Sequence, residues 1–289
     1  MIPIIPIPGF SEPFSSISHL VGAISFFMAS FFMIFRGRGN NARVIGLLIY
    51  CFCLVFLFTM SGVYHLLEKG FTANYVLKIL DYTGIFGLIA GTFTPLHLIL
   101  FRGVHRWPVL IIVWTLAITG LVLTAIFFEE IPHWVSLSIF LFLGWIGLYT
   151  MWRIYHVHSK KLVRYIILGG VFYTIGAVIE FLSWPELLPG IVGPHEIFHI
   201  FVILAAIFHW KLVYKISKYP ISSKITIIVR EFPDCHYRAE ATSEHAYFYA
   251  NSLEEVKEKV MGWVDDKFHH DMKPTMINFK YFKEEDIYL

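Results

Sequence analysis

The chain has 289 residues, of which 57% are hydrophobic and only 15% are charged, and its mean hydropathy is +0.65. A soluble domain carries about 25% charged residues, so this composition excludes an ordinary soluble protein and favours an integral membrane protein with several spans. The formal net charge is only +2, and the basic residues lie in short loops, so nucleic acid is not an expected partner.

Seven apolar segments are predicted to cross the membrane as helices, because about 20 residues at a rise of about 1.5 Å match a hydrocarbon core about 30 Å thick. The segments do not alternate apolar and polar residues, so a transmembrane barrel is not expected. The predicted spans are 15–35, 44–67, 79–101, 107–128, 134–152, 165–184 and 194–216. The expected fold class is therefore an all-α membrane protein with a bundle of seven transmembrane helices.

Three domains are predicted along the chain. Residues 1–14 contain four prolines and are predicted to form an extended N-terminal segment. Residues 15–219 form the seven-helix membrane domain. Residues 220–289 are polar and charged and are predicted to form a small soluble α/β domain.

The elements of this C-terminal domain are predicted in the order strand, strand, helix, strand. The strands are expected at 225–229, 246–250 and 277–281, where short apolar runs occur. The helix is expected to begin at Ser252, which has capping-box spacing to Glu255, and to end near residue 268. A protein partner of this domain is a further expectation.

The loop charges predict an orientation in the membrane. We define side A as the side on which the first span begins, and side B as the opposite side. Side A carries only Lys69 and Lys78 as basic loop residues. Side B carries Arg36, Arg38, Arg43, Arg102, Arg106, Arg153, Lys160, Lys161, Arg164, Lys215 and Lys218. The positive-inside rule therefore predicts that side B and the C-terminal domain lie in the cytoplasm. The plasma (inner) membrane is the expected location of the protein.

Five polar residues are predicted to meet at side A. His195 and His199 lie four residues apart near the start of the seventh span, in GPHEIFH, so both rings face one side of the helix. Ser61 and His65 are also one turn apart, at the end of the second span, and Asp81 follows at the start of the third. The topology brings these ends to one membrane depth.

These residue types predict a metal site, with zinc as the expected cofactor. The three histidines would leave a fourth position for water, which is typical of catalytic zinc, and zinc lowers the pKa of such a water toward about 7. Asp81 is then the candidate proton acceptor, and Ser61 a second candidate catalytic residue, although serine also packs helices. His97 and His209 are interpreted as helix–helix hydrogen bonds.

The motifs SGVYH, DYTGI and HEIFH resemble the S-x3-H, D-x2-G-I and H-x3-H signatures of the hemolysin III and progestin/adipoQ receptor family. SISHLVG at 16–22 and GTFTP at 91–95 resemble further hemolysin III patterns. The resemblance covers about 15–216 and leaves the C-terminal domain outside. In the adiponectin-receptor branch of this family the zinc end faces the cytoplasm, which is opposite to the orientation that the loop charges predict.

The resemblance implies a seven-helix bundle in which His65, His195 and His199 hold zinc. It also implies that Asp81 hydrogen-bonds the zinc-bound water and that Ser61 lies close by. The wider group includes alkaline ceramidases, and hydrolysis of lipid amides is proposed for its receptors. Members of the family have been named haemolysins, and animal members act as hormone receptors.

Three functions remain open at this point. The first is a zinc-dependent intramembrane hydrolase that acts on a lipid amide or ester, with membrane lipids as partners and substrates. The second is a peptidase, because HEIFH also matches H-E-x-x-H and makes Glu196 a candidate general base. The third is a receptor or signalling protein in which zinc is structural.

Two other sets of side chains are not assigned a role. Glu180, near the side A end of the sixth span, could face the same cavity or reach the interface. Four histidines of the C-terminal domain could bind metal but are interpreted as scattered surface residues: His236, His245, His269 and His270.

Overall fold

The computed structural model describes residues 4–219, 224–232, 236–242, 246–268, 273–274 and 276–283. Within these residues, seven helical spans are long and apolar enough to cross a membrane, which confirms the predicted fold class. The helices are α1 (Pro13–Gly37), α2 (Asn41–Leu66), α3 (Thr72–Leu100), α4 (Trp107–Ile126), α5 (His133–Trp145), α6 (Gly147–Val157), α7 (Lys160–Leu182) and α8 (Pro194–Ile216). Helices α5 and α6 together form the fifth span.

Local capping explains where several helices begin. The Asn40 side chain accepts a hydrogen bond from the Arg43 N–H at 3.0 Å, and Ser159 caps α7 in the same way. Both residue types satisfy backbone N–H groups that have no partner inside the helix. Pro194 occupies the first turn of α8, where a missing N–H costs nothing. These caps place the loops within a few residues of the predicted boundaries.

The fifth span differs from the prediction, which treated 134–152 as one continuous helix. The structure interrupts the helix at Ile146. The glycines at 144 and 147 flank this point, and each glycine costs a helix about 1 kcal/mol relative to alanine. A Cβ atom at Gly144 would meet no other atom within 4 Å, so packing of neighbouring side chains does not support the helix there.

Helices α1 and α2 approach each other closely. Gly62 lies against Leu20, since a Cβ atom at Gly62 would be only 2.7 Å from Leu20 Cγ. The Ser16 hydroxyl donates a hydrogen bond of 2.8 Å to the Gly62 carbonyl. Small residues and short polar side chains are the usual means by which membrane helices pack closely. This packing brings the beginning of α1 next to the end of α2 at side A.

The N-terminal segment lies across the side A end of the bundle. The Ile5 N–H donates to the Gly190 carbonyl in the loop before α8. The Ser11 and Glu12 N–H groups donate to the Leu66 and His65 carbonyls at the end of α2. Residues 4–12 are therefore attached to both elements that carry the predicted histidine ligands.

A small mixed sheet and one helix follow the bundle. The elements are β1 (Lys224–Glu231), β2 (Tyr237–Ala241), β3 (Ala246–Ala250), α9 (Leu253–Lys267) and β4 (Met276–Lys283). The strand order is β3-β2-β1-β4, with β1 parallel to β4 and antiparallel to β2. Inward-facing residues of the sheet, such as Ile227, form a core with Val256 and Val260 of α9. This core is separate from that of the bundle.

Strand β2 was missed by the sequence analysis, which expected three strands instead of four. Its inward-facing residues are Ala239 and Ala241, both fully buried, while Arg238 and Glu240 alternate with them. This strand has no β-branched residue and its one aromatic, Tyr237, stands at its first position, so local propensity does not mark it as a strand. Its pairing with β1 on one side and β3 on the other creates the strand.

Other predictions for this region have mixed outcomes. The Ser252 side chain accepts a hydrogen bond from the Glu255 N–H at 3.1 Å, which confirms the predicted cap of α9. His236 is exposed. His245, His269, His270 and the predicted domain boundary at residue 220 lie outside the described residues, as do residues 1–3 of the N-terminal segment.

Candidate metal centre

The three predicted histidine ligands converge at the side A end of the bundle. His195 Nε2 lies 3.1 Å from His199 Nε2 and 3.4 Å from His65 Nε2. One ligand nitrogen from each of the three rings lies within 4.8 Å of the others. His65 and His199 are buried, with 2% of their surface exposed. A buried cluster of three imidazole nitrogens that point at one another is a site that could bind a metal ion.

Two carboxylates hold the outer nitrogens of these rings. The Glu12 carboxylate contacts Nδ1 of His65, and Glu180 Oε1 lies 3.1 Å from Nδ1 of His195. A carboxylate that accepts the Nδ1 proton fixes the ring orientation and leaves Nε2 as the free ligand atom. Both pairs therefore direct Nε2 toward the common centre.

The Glu12 carboxylate lies beside the cluster and also contacts a lysine. Lys69 Nζ lies 2.6 Å from its second carboxylate oxygen. Burial by itself raises the pKa of Glu12, but hydrogen bonds and electrostatic interactions with His65 and Lys69 outweigh burial and lower the pKa to about 2. The carboxylate is thus ionised at physiological pH, and it stabilises positive charge at the histidines.

Glu12 could not be predicted as part of the site, because its contact with His65 depends on the fold of the N-terminal segment. His19 was not predicted either, and its ring stacks on His199 with centroids 3.8 Å apart and 19° between the planes. His19 is buried, and its place in SISHLVG at the depth of the site was the available signal. Glu180, whose role was left open, faces the site.

Asp81 and Ser61 lie at the same end of the bundle. Ser61 is buried, and its hydroxyl lies beside the Asp81 carboxyl group. Asp81 is also within electrostatic range of His65 and His195. Gly84, one turn after Asp81, allows this approach, since a Cβ atom there would be 3.1 Å from Leu57 Cδ1 of α2. The structure therefore brings all five predicted site residues together.

The histidine cluster opens into a cavity of about 630 Å³ between α3, α5, α6, α7 and α8. Asp81, His195 and His199 line one end, and Thr150 and His209 lie toward the other. Almost all of the remaining wall is apolar, with side chains such as Phe93. A cavity with one polar end and apolar walls suits an amphiphilic ligand with an acyl chain.

The cavity reaches the outer surface of the bundle between the fifth span and α7. Trp145, Ile167 and Val171 line the cavity, and each has 45–52% of its surface exposed. Trp145 Nε1 donates a hydrogen bond of 3.3 Å to Thr174 Oγ1 across this gap. Trp145 directly precedes the helix interruption at Ile146, so the gap and the interruption lie at the same depth in the bundle.

Glu196 has a different role from the other acidic residues. Its Oε1 accepts a hydrogen bond from the Ser15 hydroxyl at 3.0 Å, and its Oε2 accepts from the Gly193 N–H at 3.0 Å. Only 2% of its surface is exposed. Both oxygens thus cap α8 and connect it to α1. A general base of the H-E-x-x-H type must reach the reacting water, and Glu196 is not among the residues that line the cavity.

Comparison with known proteins identifies the family. The family described as haemolysin-III related matches residues 10–210. Hemolysin-3 of Bacillus cereus is 32% identical over 196 residues, which cover 65% of this chain and 84% of that protein. Hemolysin-3 homolog of Bacillus subtilis (strain 168) is 30% identical over 204 residues, covering 69% of this chain and 92% of that protein.

A more distant similarity extends to animals. The adiponectin receptor protein of Drosophila melanogaster is 28% identical over 253 residues, which cover 74% of this chain and 55% of that protein. The matched region of the family contains all seven spans up to the last turns of α8, and with them the histidine cluster. The chain therefore belongs to the haemolysin-III-related family of multi-pass membrane proteins.

Proposed function

We propose that this protein is a zinc-dependent intramembrane hydrolase that acts on a lipid amide or ester. The observation that carries the proposal is the position of the three imidazole nitrogens, Asp81 and Ser61 at the polar end of an apolar cavity. Binding, proton transfer and water exclusion are the functions that such a site combines in a hydrolase.

The donor set fits zinc. Two nitrogens bound to zinc at about 2.0–2.1 Å in a tetrahedron lie about 3.4 Å apart, and the observed separations from His195 Nε2 are 3.1 and 3.4 Å. Two of the three rings have the carboxylate partner that is usual for metal-bound histidine. Three neutral nitrogen ligands without a thiolate, with one position left open, are typical of catalytic zinc.

When bound, zinc supplies Lewis-acid polarisation of the substrate carbonyl and lowers the pKa of its water to about 7. The protein supplies the proton transfer: Asp81 accepts the proton of the attacking water and delivers it to the leaving amine or alcohol. Ser61 orients the Asp81 carboxyl group. The acyl chain lies along the apolar wall and enters through the gap between the fifth span and α7.

The proposal is tested with a panel of acyl amides and acyl esters of one chain length. The purified protein is mixed with each lipid in micelles, and released fatty acid is measured by mass spectrometry. We expect release by the wild type and by Glu196→Gln, but not by Asp81→Asn. Loss of activity in Glu196→Gln with full activity in Asp81→Asn would instead support the peptidase type of mechanism.

We propose that the metal centre faces the outside of the plasma (inner) membrane and that the C-terminal region lies in the cytoplasm. The support is the excess of basic residues at side B, compared with Lys69 and Lys78 at side A. In a Cys235→Ser background, in which the remaining Cys51 and Cys53 are buried, a cysteine introduced at the exposed position Lys69 or Lys218 tests this. We expect the cysteine at position 69 to be labelled only from outside. Labelling of this cysteine only from inside would contradict the proposed orientation.

A receptor role with structural zinc is the second candidate. It is favoured by the contact between the bundle and the C-terminal region, in which Arg102 Nη1 donates a hydrogen bond of 2.6 Å to the Lys273 carbonyl. Such a contact could transmit a change in the bundle to a protein partner of the C-terminal sheet. Unfolding upon zinc removal, combined with no hydrolysis of any lipid in the panel, would favour this role over the hydrolase.

A further inference from the structure

A second pocket lies at the opposite end of the bundle from the metal centre. It has a volume of about 580 Å³ and lies where α1 and α8 end and α7 begins, at side B. Four cationic side chains line it, and three aromatic rings and one leucine complete the wall. The cations are Arg36, Arg164, Lys211 and Lys215.

In the part of the chain that the structure describes, the four cations are not paired with acidic residues. Among the residues that the structure describes, no carboxylate lines this pocket or lies within 4.0 Å of any of the four. By contrast, Lys69 at side A forms an ion pair of 2.6 Å with Glu12. Four like charges around one cavity repel each other, and an anion in the cavity removes this repulsion.

The cations are held in place by neutral groups, so their charge stays available. Arg36 Nε donates to the Tyr214 carbonyl at 3.2 Å, and its guanidinium lies 4.7 Å from the centroid of the Tyr214 ring. Arg164 donates to the Tyr165 hydroxyl at 2.7 Å, and Lys215 Nζ lies over the same ring. Guanidinium groups that are positioned in advance bind phosphate oxygens in a bidentate manner.

The pocket is also amphipathic along the membrane normal. Lys215 lies in the last turn of α8, and Arg164 lies about one turn after the start of α7. Leu168 lies one turn deeper than Arg164, and Phe208 lies about two turns deeper than Lys215; both line the pocket. A ligand that fits this arrangement has a phosphate at the membrane surface and an apolar chain below it.

We propose that this pocket binds the phosphate of an anionic phospholipid headgroup. The shared chemistry is a phosphate group, which a lipid or a free phosphate ion could carry, and the apolar inner edge favours the lipid. The proposal is independent of the hydrolase reaction, because the pocket lies at the other end of the bundle and shares no lining residue with the catalytic cavity.

Native mass spectrometry of the delipidated full chain tests this binding. The protein is mixed with equal concentrations of phosphatidylglycerol and phosphatidylcholine that have identical acyl chains. We expect the wild type to retain phosphatidylglycerol, and Lys211→Gln/Lys215→Gln to lower its apparent affinity about tenfold. The matched control, Lys161→Gln/Lys218→Gln, removes two exposed side B charges outside the pocket and is expected to change affinity by less than about twofold.

Equal retention of the two lipids by the wild type would overturn the proposal, as would an equal loss in the control variant. If the double variant aggregates, the single change Arg164→Gln at an exposed position provides the same comparison. Calorimetric titration with inorganic phosphate separates the two sources of the anion. No binding of phosphate alone is expected, and binding that Lys211→Gln/Lys215→Gln abolishes would overturn the assignment to a lipid.

Discussion

Each end of the bundle contains buried histidines, but their partners differ. At side A, the Nε2 atoms of His65, His195 and His199 face one another. At side B, each ring nitrogen of His97 has a protein partner: Nδ1 lies 2.7 Å from the His105 carbonyl and Nε2 lies 2.9 Å from Thr150 Oγ1. The side A nitrogens could therefore bind a cation, whereas both ring nitrogens of His97 are already bonded to protein groups.

Charged residues at the two ends of the bundle also have different partners. Glu12 and Glu180 hold the outer nitrogens of the side A histidines. At side B, Arg43 donates to the carbonyls of Gly37, Arg38 and Tyr219 and thereby closes helix ends. Arg43 at side B thus forms structural hydrogen bonds to backbone carbonyls, whereas Glu12 and Glu180 at side A face the histidine cluster. The prediction that His97 forms a helix–helix hydrogen bond is confirmed.

The largest expected effect is on lipid hydrolysis and concerns Asp81 at side A. Asp81→Asn should lower lipid hydrolysis by about 10²–10⁴-fold, because the amide cannot accept a proton. Zinc content should stay unchanged, since Asp81 is not one of the three ligands. Release of fatty acid and bound zinc are measured on the same sample. Loss of zinc together with activity would show that Asp81 acts on the metal site instead.

The two carboxylates behind the ligands should give the next largest effect. Glu12→Gln and Glu180→Gln are each expected to weaken zinc binding by about 10–100-fold, because each removes the charge that orients one ligand ring. Competition with a chromophoric chelator measures the affinity. Glu130→Gln, an exposed side A residue away from the site, is the matched control, and an equal loss there would contradict this role.

Substitution of His97 at side B should lower the stability of the protein and leave its zinc content unchanged. His97→Ala leaves the Thr150 hydroxyl and the His105 carbonyl without their partner, at a cost of about 1–3 kcal/mol in the free energy of unfolding. Denaturant titration in detergent measures this loss. Zinc content should equal that of the wild type. A loss of zinc in His97→Ala would remove the distinction between the two ends.

The smallest effect on the free energy of unfolding is expected for Tyr149, which contacts His105 and not His97 itself. The Tyr149 hydroxyl contacts Nδ1 of His105 at 2.5 Å in a half-buried position. Tyr149→Phe removes this hydrogen bond and should cost about 0.5–1.5 kcal/mol in the same unfolding titration. A loss larger than that of His97→Ala would show that Tyr149, and not His97, organises the side B network.

The seven spans and the meeting of His65, His195 and His199 could be predicted from the sequence, because hydropathy and helix topology determine both. The contact of Glu12 with His65 could not be predicted, since it depends on the path of residues 4–12 over side A. The interruption at Ile146 was missed because the segment is apolar on both sides of it. Strand β2 was missed because its inward-facing residues are alanines, and only pairing with its neighbours defines it.

The metal content of the detergent-purified chain tests the central claim most directly. Plasma mass spectrometry is applied to the wild type, to His195→Ala/His199→Ala at side A and to His97→Ala at side B. We expect about one zinc per chain in the wild type and in the side B variant, and none in the side A variant. A folded, monodisperse wild type that binds no zinc when zinc is added, or equal zinc in all three proteins, would contradict the metal centre.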